Sequence, residues 1–220
     1  MIKAALFDVD GTLIDSNDLH ADAWRAAFAE FGHDVSFEAA RGQIGKGGDN
    51  LIPALVPGLP EEEAAALEAY RSEIFQRDYL PRVVPFPGVR ALFERLAADG
   101  VKIVLASSAK ADEVHFHLGV LGCEDLVAGT TSADDAQNSK PDPDIFAAAL
   151  ASVAPVSAAD AIVIGDSPFD MEAAAKLGIR TIGFRSGGFA DDVLLGAGAS
   201  ALYDGPEHLL REYGSSAFAR

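Results

Sequence analysis

Short continuous apolar runs recur along the chain, at IKAALF (2–7), VKIVLA (101–106), AIVIG (161–165) and RTIGF (180–184), separated by stretches of helical period. Because these runs do not alternate with polar residues, they predict strands of a parallel sheet covered on both faces. In VRALFERLAADG (89–100), Val89, Leu92, Phe93 and Leu96 share one helical face and Gly100 supplies the C-terminal stop. DMEAAAKLG (170–178) ends in the same way. Strand, helix and strand, repeated after residue 88, predict right-handed crossovers and an α/β fold: a doubly wound, Rossmann-like parallel sheet.

Residues 16–80 break this alternation and read as helix after helix. Ser16 is placed as an N-cap, followed by a stripe of Leu19, Ala23, Ala27, Phe28 and Phe31. A second helix is expected over EEEAAALEAYRSEIFQRDYL (61–80), its first turn holding three glutamates that suit the helix dipole. The proline-rich LPRVVPFPGV (80–89) then returns the chain to the sheet. The expected organisation is a core domain of residues 1–15 and 86–220, interrupted by a helical cap domain over 16–85.

The chain has 220 residues, 49% apolar and 23% charged, which suits a globular protein with a substantial core. No run approaches the roughly 20 apolar residues needed to span a bilayer. Seventeen Lys and Arg against thirty-four Asp and Glu give a net charge of −17, which opposes contact with nucleic acid or an anionic membrane. A small anion could still bind where a cation and a few lysines reverse the field. MIKAALFDVDGT carries aspartates where a secretory signal would have small residues, so the expected location is cytoplasmic. Cys123 is the lone cysteine and, without a CxxC spacing or a neighbouring histidine, reads as a small apolar filler in a reducing compartment.

Four polar clusters follow predicted strands or turns. In LFDVDGTL (6–13), Asp8 and Asp10 are two residues apart and point the same way if strand geometry persists. Such a pair can share a divalent cation or be driven to different pKa values, as nucleophile and acid; an Asp-rich turn is the alternative. An EF-hand is excluded, because its required Gly and Glu positions are Leu13 and Leu19. Ser107 follows VKIVLA and reads either as a helix cap or as a donor to an anion. Lys140, in NSKPDPDIF (138–146), is either a fixed charge for phosphate or an exposed turn lysine. In AIVIGDSPFD (161–170), Asp166 could complete a metal site opened by Asp8, and Asp170 could stabilise the first helical turn.

In this order and spacing, DVDGT, Ser107, Lys140 and GDSPFD resemble the four motifs of the haloacid dehalogenase superfamily, over nearly the whole chain. The resemblance is to its helical-cap branch, the phosphoglycolate phosphatases and β-phosphoglucomutases; dehalogenases and phosphonoacetaldehyde hydrolases lack an aspartate at the place of Asp10. It implies phosphoryl transfer through an aspartyl-phosphate, with Asp8 as nucleophile and Asp10 as general acid and base. It also implies Mg²⁺ held by the Asp8 carboxylate, the Asp10 backbone carbonyl and Asp166, and phosphate held by Ser107 and Lys140. On the cap, His20 resembles a mutase histidine that contacts the acid, while a structural histidine remains the alternative. The glycine-rich RGQIGKGGDN (41–50) resembles a specificity loop in which Lys46 would meet an anionic end of the substrate, a solvated lysine being the alternative. Trp24 reads as packing.

The function implied is a Mg²⁺-dependent phosphatase acting on a small phosphorylated metabolite, with no nucleic-acid or membrane partner, as a monomer or weak homodimer. The rivals are a sugar-phosphate mutase and a non-catalytic metabolite-binding module. The mutases carry an acidic residue just before the aspartate aligned with Asp166, where this chain has Gly165.

Overall fold

The computed structural model describes residues 1–219. The first strand, β1 (Ala4–Phe7), is followed by a two-residue strand, β2 (Ile14–Asp15). Four helices come next: α1 (Asn17–Glu30), α2 (Phe37–Arg41), α3 (Gly48–Leu55) and α4 (Glu61–Ile74). The chain returns through β3 (Val84–Pro85), which pairs antiparallel with β2. It then alternates through α5 (Val89–Ala98), β4 (Lys102–Ala106), α6 (Ala111–Leu121), β5 (Gly129–Thr131), α7 (Asp144–Ser152) and β6 (Ala161–Gly165). The last elements are α8 (Pro168–Lys176), β7 (Arg180–Phe184), α9 (Asp191–Ala197), β8 (Ala199–Tyr203) and α10 (Pro206–Arg211).

Six strands form one parallel sheet in the order β5-β4-β1-β6-β7-β8. The order reverses around β1, so the connections leaving β1 and its neighbours diverge and open a crevice beyond their carboxyl ends. Alternate residues of β1 serve opposite faces. Ala5 and Phe7 join Ile103, Leu105, Ile162 and Ile164 on one side, while Ala4 and Leu6 join Val104, Val163 and Phe146 on the other. The first of these cores runs on without a break into the helical insert, through Trp24, Phe28, Leu67 and Phe75.

Two strands escape the apolar pattern, and both are edges. β5 has only the residues GTT, and β8 carries Ser200 and part-exposed Ala201 and Leu202. An edge strand lacks one neighbour and is commonly short or partly polar, so no continuous apolar run marks it. The helix expected over 61–80 is also shorter than its pattern: α4 stops at Ile74, and a widened turn over Phe75–Tyr79 and a tight turn over Leu80–Arg82 follow. Pro81 has no amide hydrogen to give to the ladder, so the helix loosens before it, although Leu80 itself keeps helical backbone angles. Among the described residues, no helix is long and apolar enough to cross a membrane.

Candidate active site

β1 ends at Phe7, so strand geometry does not persist through Asp8 and Asp10, and their carboxylates go to different partners. The turn between them is tight. Gly11 has φ +79°, and a Cβ there would collide with Asn17 and with Asp166 Oδ2, so glycine is required on both counts.

Asp8 is buried in the crevice with Asp166 and Asp170, their oxygens within 4.8 Å of one another. Lys140, only 1% exposed, donates to Asp8 Oδ1 and lies 2.8 Å from Asp170 Oδ1. Thr12 Oγ1 is 3.1 Å from Asp8 Oδ2 and 2.9 Å from Asp166 Oδ1, and Asn17 Nδ2 donates to Asp166 Oδ2 at 2.8 Å. Asp170 has two tasks: besides facing Lys140, its Oδ2 accepts from the Ser167 amide at 3.0 Å and hydroxyl at 2.7 Å, fixing the start of α8. Burial pushes Asp8 well up despite Lys140, with Asp170 and Asp166 adding to the rise; burial and Asp170 likewise take Asp166 to about 6. One ammonium thus faces three buried carboxylates. All three are hard oxygen donors and two negative charges stay uncompensated, so the group fits a divalent cation of the Mg²⁺ kind. The Asp10 carboxylate is not a member of this group.

Asp10 Oδ1 instead accepts from Ser16 Oγ at 2.6 Å and from His20 Nε2 at 2.9 Å. Ser16 precedes α1 as expected, but its hydroxyl makes no capping bond because it is spent on Asp10. Arg71 stands against His20 Nδ1. A guanidinium only donates, so Nδ1 must accept and the ring proton sits on Nε2, directed at Asp10. Burial raises Asp10, yet His117, His20 and the bonds from His20 and Ser16 bring it well below the carboxylate range. Burial takes His20 down to about 4, so the ring is neutral at pH 7. Glu113 shares this neighbourhood with Asp10 and His20, all within 4.8 Å. It is a poor cation site, because His20 Nε2 carries a proton and Nδ1 is taken by Arg71. Burial, with Asp10 adding and Arg71 and Lys110 opposing, pushes Glu113 up to about 7.

The two groups meet at a cavity of about 90 Å³. The core lines it with Asp8, Asp10, Ser108, Glu113 and Lys140, and the insert with His20, Trp24, Lys46, Glu68 and Arg71. Ser107 is not among its lining residues. Nor is Ser107 a helix cap: α6 begins at Ala111, after Lys110, and the buried Ser107 hydroxyl accepts from the Ala109 amide at 3.0 Å to shape the turn. Lys46 lies at the wall, 2.6 Å from Gln43 Oε1 and 4.6 Å above the Phe169 ring. Its loop rests on the core, where Gly47 donates to Ser139 Oγ at 3.1 Å and Asn50 reaches the Lys140 carbonyl at 3.3 Å. Trp24 packs on Phe28, and the Arg71 guanidinium lies over its ring at 5.1 Å. Cys123 is buried, its thiol donating to the Leu121 carbonyl at 3.2 Å.

Thr12, Asn17, Arg71, Ser108 and Glu113 are site residues that the motif reading passes over. Glu113 carried a usable signal: with His117 and Leu121 it falls on one buried face of α6, where a charged residue needs a reason.

The geometry has counterparts among known proteins. The model of the haloacid dehalogenase-like hydrolase family matches residues 5–184. Phosphoglycolate phosphatase of Rhodospirillum rubrum is 30% identical, over 93% of this chain and 88% of that protein. Validoxylamine A 7'-phosphate phosphatase of Streptomyces hygroscopicus subsp. limoneus is 29% identical over 83% of this chain and 85% of its own length. The crystal structure of a hydrolase from Pseudomonas syringae superposes with a TM-score of 0.89 at 28% identity, covering 97% of this chain and 99% of that one.

Proposed function

Because the chain belongs to the haloacid dehalogenase-like hydrolases, we propose that it is a Mg²⁺-dependent phosphatase that hydrolyses a small phosphorylated metabolite through an aspartyl-phosphate. The observation that carries this reading is the separation of two neighbouring aspartates into unlike settings. Asp8 faces Lys140 among carboxylates, and Asp10 is held by Ser16 and His20. The relatives named as phosphatases of phosphoglycolate and of validoxylamine A 7'-phosphate support the reaction class.

Asp8 would attack phosphorus while Lys140 holds it in place and offers positive charge to the transferring oxygens. Asp10, with Oδ1 occupied by Ser16 and His20, would use its other oxygen to protonate the leaving alkoxide and later to deprotonate water. Asp8, Asp166 and the Asp10 backbone carbonyl would hold Mg²⁺, which supplies the charge that lets one anion approach another. Asp170 would keep Lys140 aimed at Asp8. Ser107 would act through the turn it shapes, and Lys46 through the cap loop that closes over the cavity. The β2–β3 pair lies where residues 16–85 leave and rejoin the core, a natural hinge for a cap that closes on substrate and excludes water. Hydrolysis is favoured over transfer to a second sugar, since a side chain at Gly165 would fall on the Asp170 carboxyl and leave no room for the mutases' acidic residue. A cytoplasmic, monomeric or weakly dimeric enzyme completes the proposal.

The test is release of inorganic phosphate from a panel of phosphomonoesters. Turnover should require Mg²⁺, disappear in excess chelator, and be mostly lost in Asp166→Ala; full activity in chelator would remove the metal from the scheme. Asp10→Asn should bind substrate but turn over on the order of 10²-fold more slowly, as for loss of a general acid and base. Its kcat should fall far more than its KM changes, and a pure KM effect would contradict the role.

A further inference from the structure

Three residues that line the cavity each carry a buried polar atom without a hydrogen-bond partner: Arg71 Nε, Glu113 Oε1 and Ser108 Oγ. Leaving such atoms unpaired costs about 1–3 kcal/mol each, so their presence in a cavity argues for a ligand that completes them. Their position says which part of the ligand. Arg71 stands on His20, and Glu113 shares one small neighbourhood with His20 and Asp10. Asp10 must touch the ester oxygen to protonate it, so Arg71 and Glu113 face the carbon skeleton of the departing alcohol.

The chemistry of the two side chains selects what that skeleton carries. Glu113 Oε1 accepts and needs a donor; Arg71 Nε–H donates and needs an acceptor. A hydroxyl is a small neutral group that does both. A carboxylate could take the Arg71 proton but would set a second anion against Glu113 once that side chain is ionised, and Glu113 is already faced by Asp10. Nor is Arg71 a free cation able to offset that: its guanidinium is held between Trp24 and Phe75 and is faced by Glu113, Asp10 and Glu68. Lys110, which also acts on Glu68 and Glu113, lies on the exposed surface, and Lys46 is engaged by Gln43 and Phe169.

Resting on the phosphatase reading, we propose that Glu113 and Arg71 are the specificity determinants for the leaving group. They admit phosphomonoesters whose alcohol bears a further hydroxyl and reject those with a carboxylate in its place. Rejection comes from Glu113, by repulsion and by leaving its oxygen unpaired. The chain would therefore differ in substrate from its relative named for phosphoglycolate, despite the shared family.

The experiment compares kcat/KM with Mg²⁺ for 2-hydroxyethyl phosphate and phosphoglycolate, which differ only by CH₂OH against COO⁻, at about pH 8.5, where the Glu113 carboxyl is ionised, with p-nitrophenyl phosphate as a measure of the chemistry alone. The native enzyme should prefer 2-hydroxyethyl phosphate by about 100-fold, well inside what a hydrogen-bonding site can achieve. Glu113→Gln keeps an acceptor and removes the charge, so it should narrow that gap by about tenfold. Equal or better use of phosphoglycolate by the native enzyme overturns the inference even if the variant fails to fold, while hydrolysis of p-nitrophenyl phosphate would leave the phosphatase reading standing. An unchanged ratio in a folded Glu113→Gln removes Glu113 from the determinant. No phosphate from any of the three compounds overturns both readings together.

Discussion

Asp8→Asn should abolish phosphate release, by roughly 10⁴-fold or more, the scale seen when a covalent nucleophile is removed. The amide oxygen can still accept from Lys140, and the amide NH₂ can donate to Thr12 Oγ1, whose own proton then goes to Asp166, so the pocket stays bonded but loses the anion that would attack phosphorus. The loss would not come from unfolding. Asp170 and Asp166 both push Asp8 upward, which means that the three carboxylates repel one another; replacing one by a neutral group relieves that repulsion. The variant should therefore melt at or above the native temperature in chelator while being inactive with Mg²⁺. Rapid-quench labelling of the native enzyme with a ³²P-phosphomonoester should place the label on Asp8. Label on another residue, or more than about 1% residual turnover in the variant, would require a different nucleophile.

How far the sequence alone reaches depends on how many neighbours a residue needs before its role appears. The inner strands were legible because burial on both faces demands an unbroken apolar run, as in β6, buried throughout. The edge strands β5 and β8 need no such run and left no trace. Asp8, Lys140, Asp166 and Asp170 were readable as candidates because each follows a strand or turn near the same end of the sheet, and topology brings such ends together. Arg71 was not, and Glu113 was only through the helical face it shares with His117 and Leu121. Each lies inside a helix among other charged residues, in EEEAAALEAYRSEI and ADEVHFHLGVL, where a solvated face is the ordinary reading. Only the folded chain, which sets α4 and α6 around one cavity, brings the two charges to bear on each other. Ser16 shows the same limit at shorter range: its place before α1 was evident, but the competing carboxylate of Asp10, six residues back, took its hydroxyl.

Lys140 carries the largest expected effect on stability. Its ammonium is enclosed by Asp8, Asp170 and, at 5.4 Å, the Phe146 ring, and these two carboxylates are buried with it. The two acids hold Lys140 well above the usual lysine value in spite of burial, so it stays charged at every pH of interest. Lys140→Met keeps an unbranched side chain but leaves both acids without their cation. Removing one partner of a buried ion pair costs about 3–5 kcal/mol, a drop on the order of 10 °C in melting temperature for a chain of this size. The pH dependence has a definite sign. Asp8 already titrates above its unfolded value and would rise further without Lys140, so the variant gains stability as pH falls and its carboxyls take up protons, and loses it as pH rises. The deficit against the native protein, measured by thermal unfolding in chelator, should thus be larger at pH 8 than at pH 5. Mg²⁺ at pH 8 should recover part of it, because a cation held by Asp8 and Asp166 would replace some of the missing charge. A variant as stable as the native protein in chelator at pH 8 would mean that the acids are already neutral, and that Lys140 serves the phosphate alone.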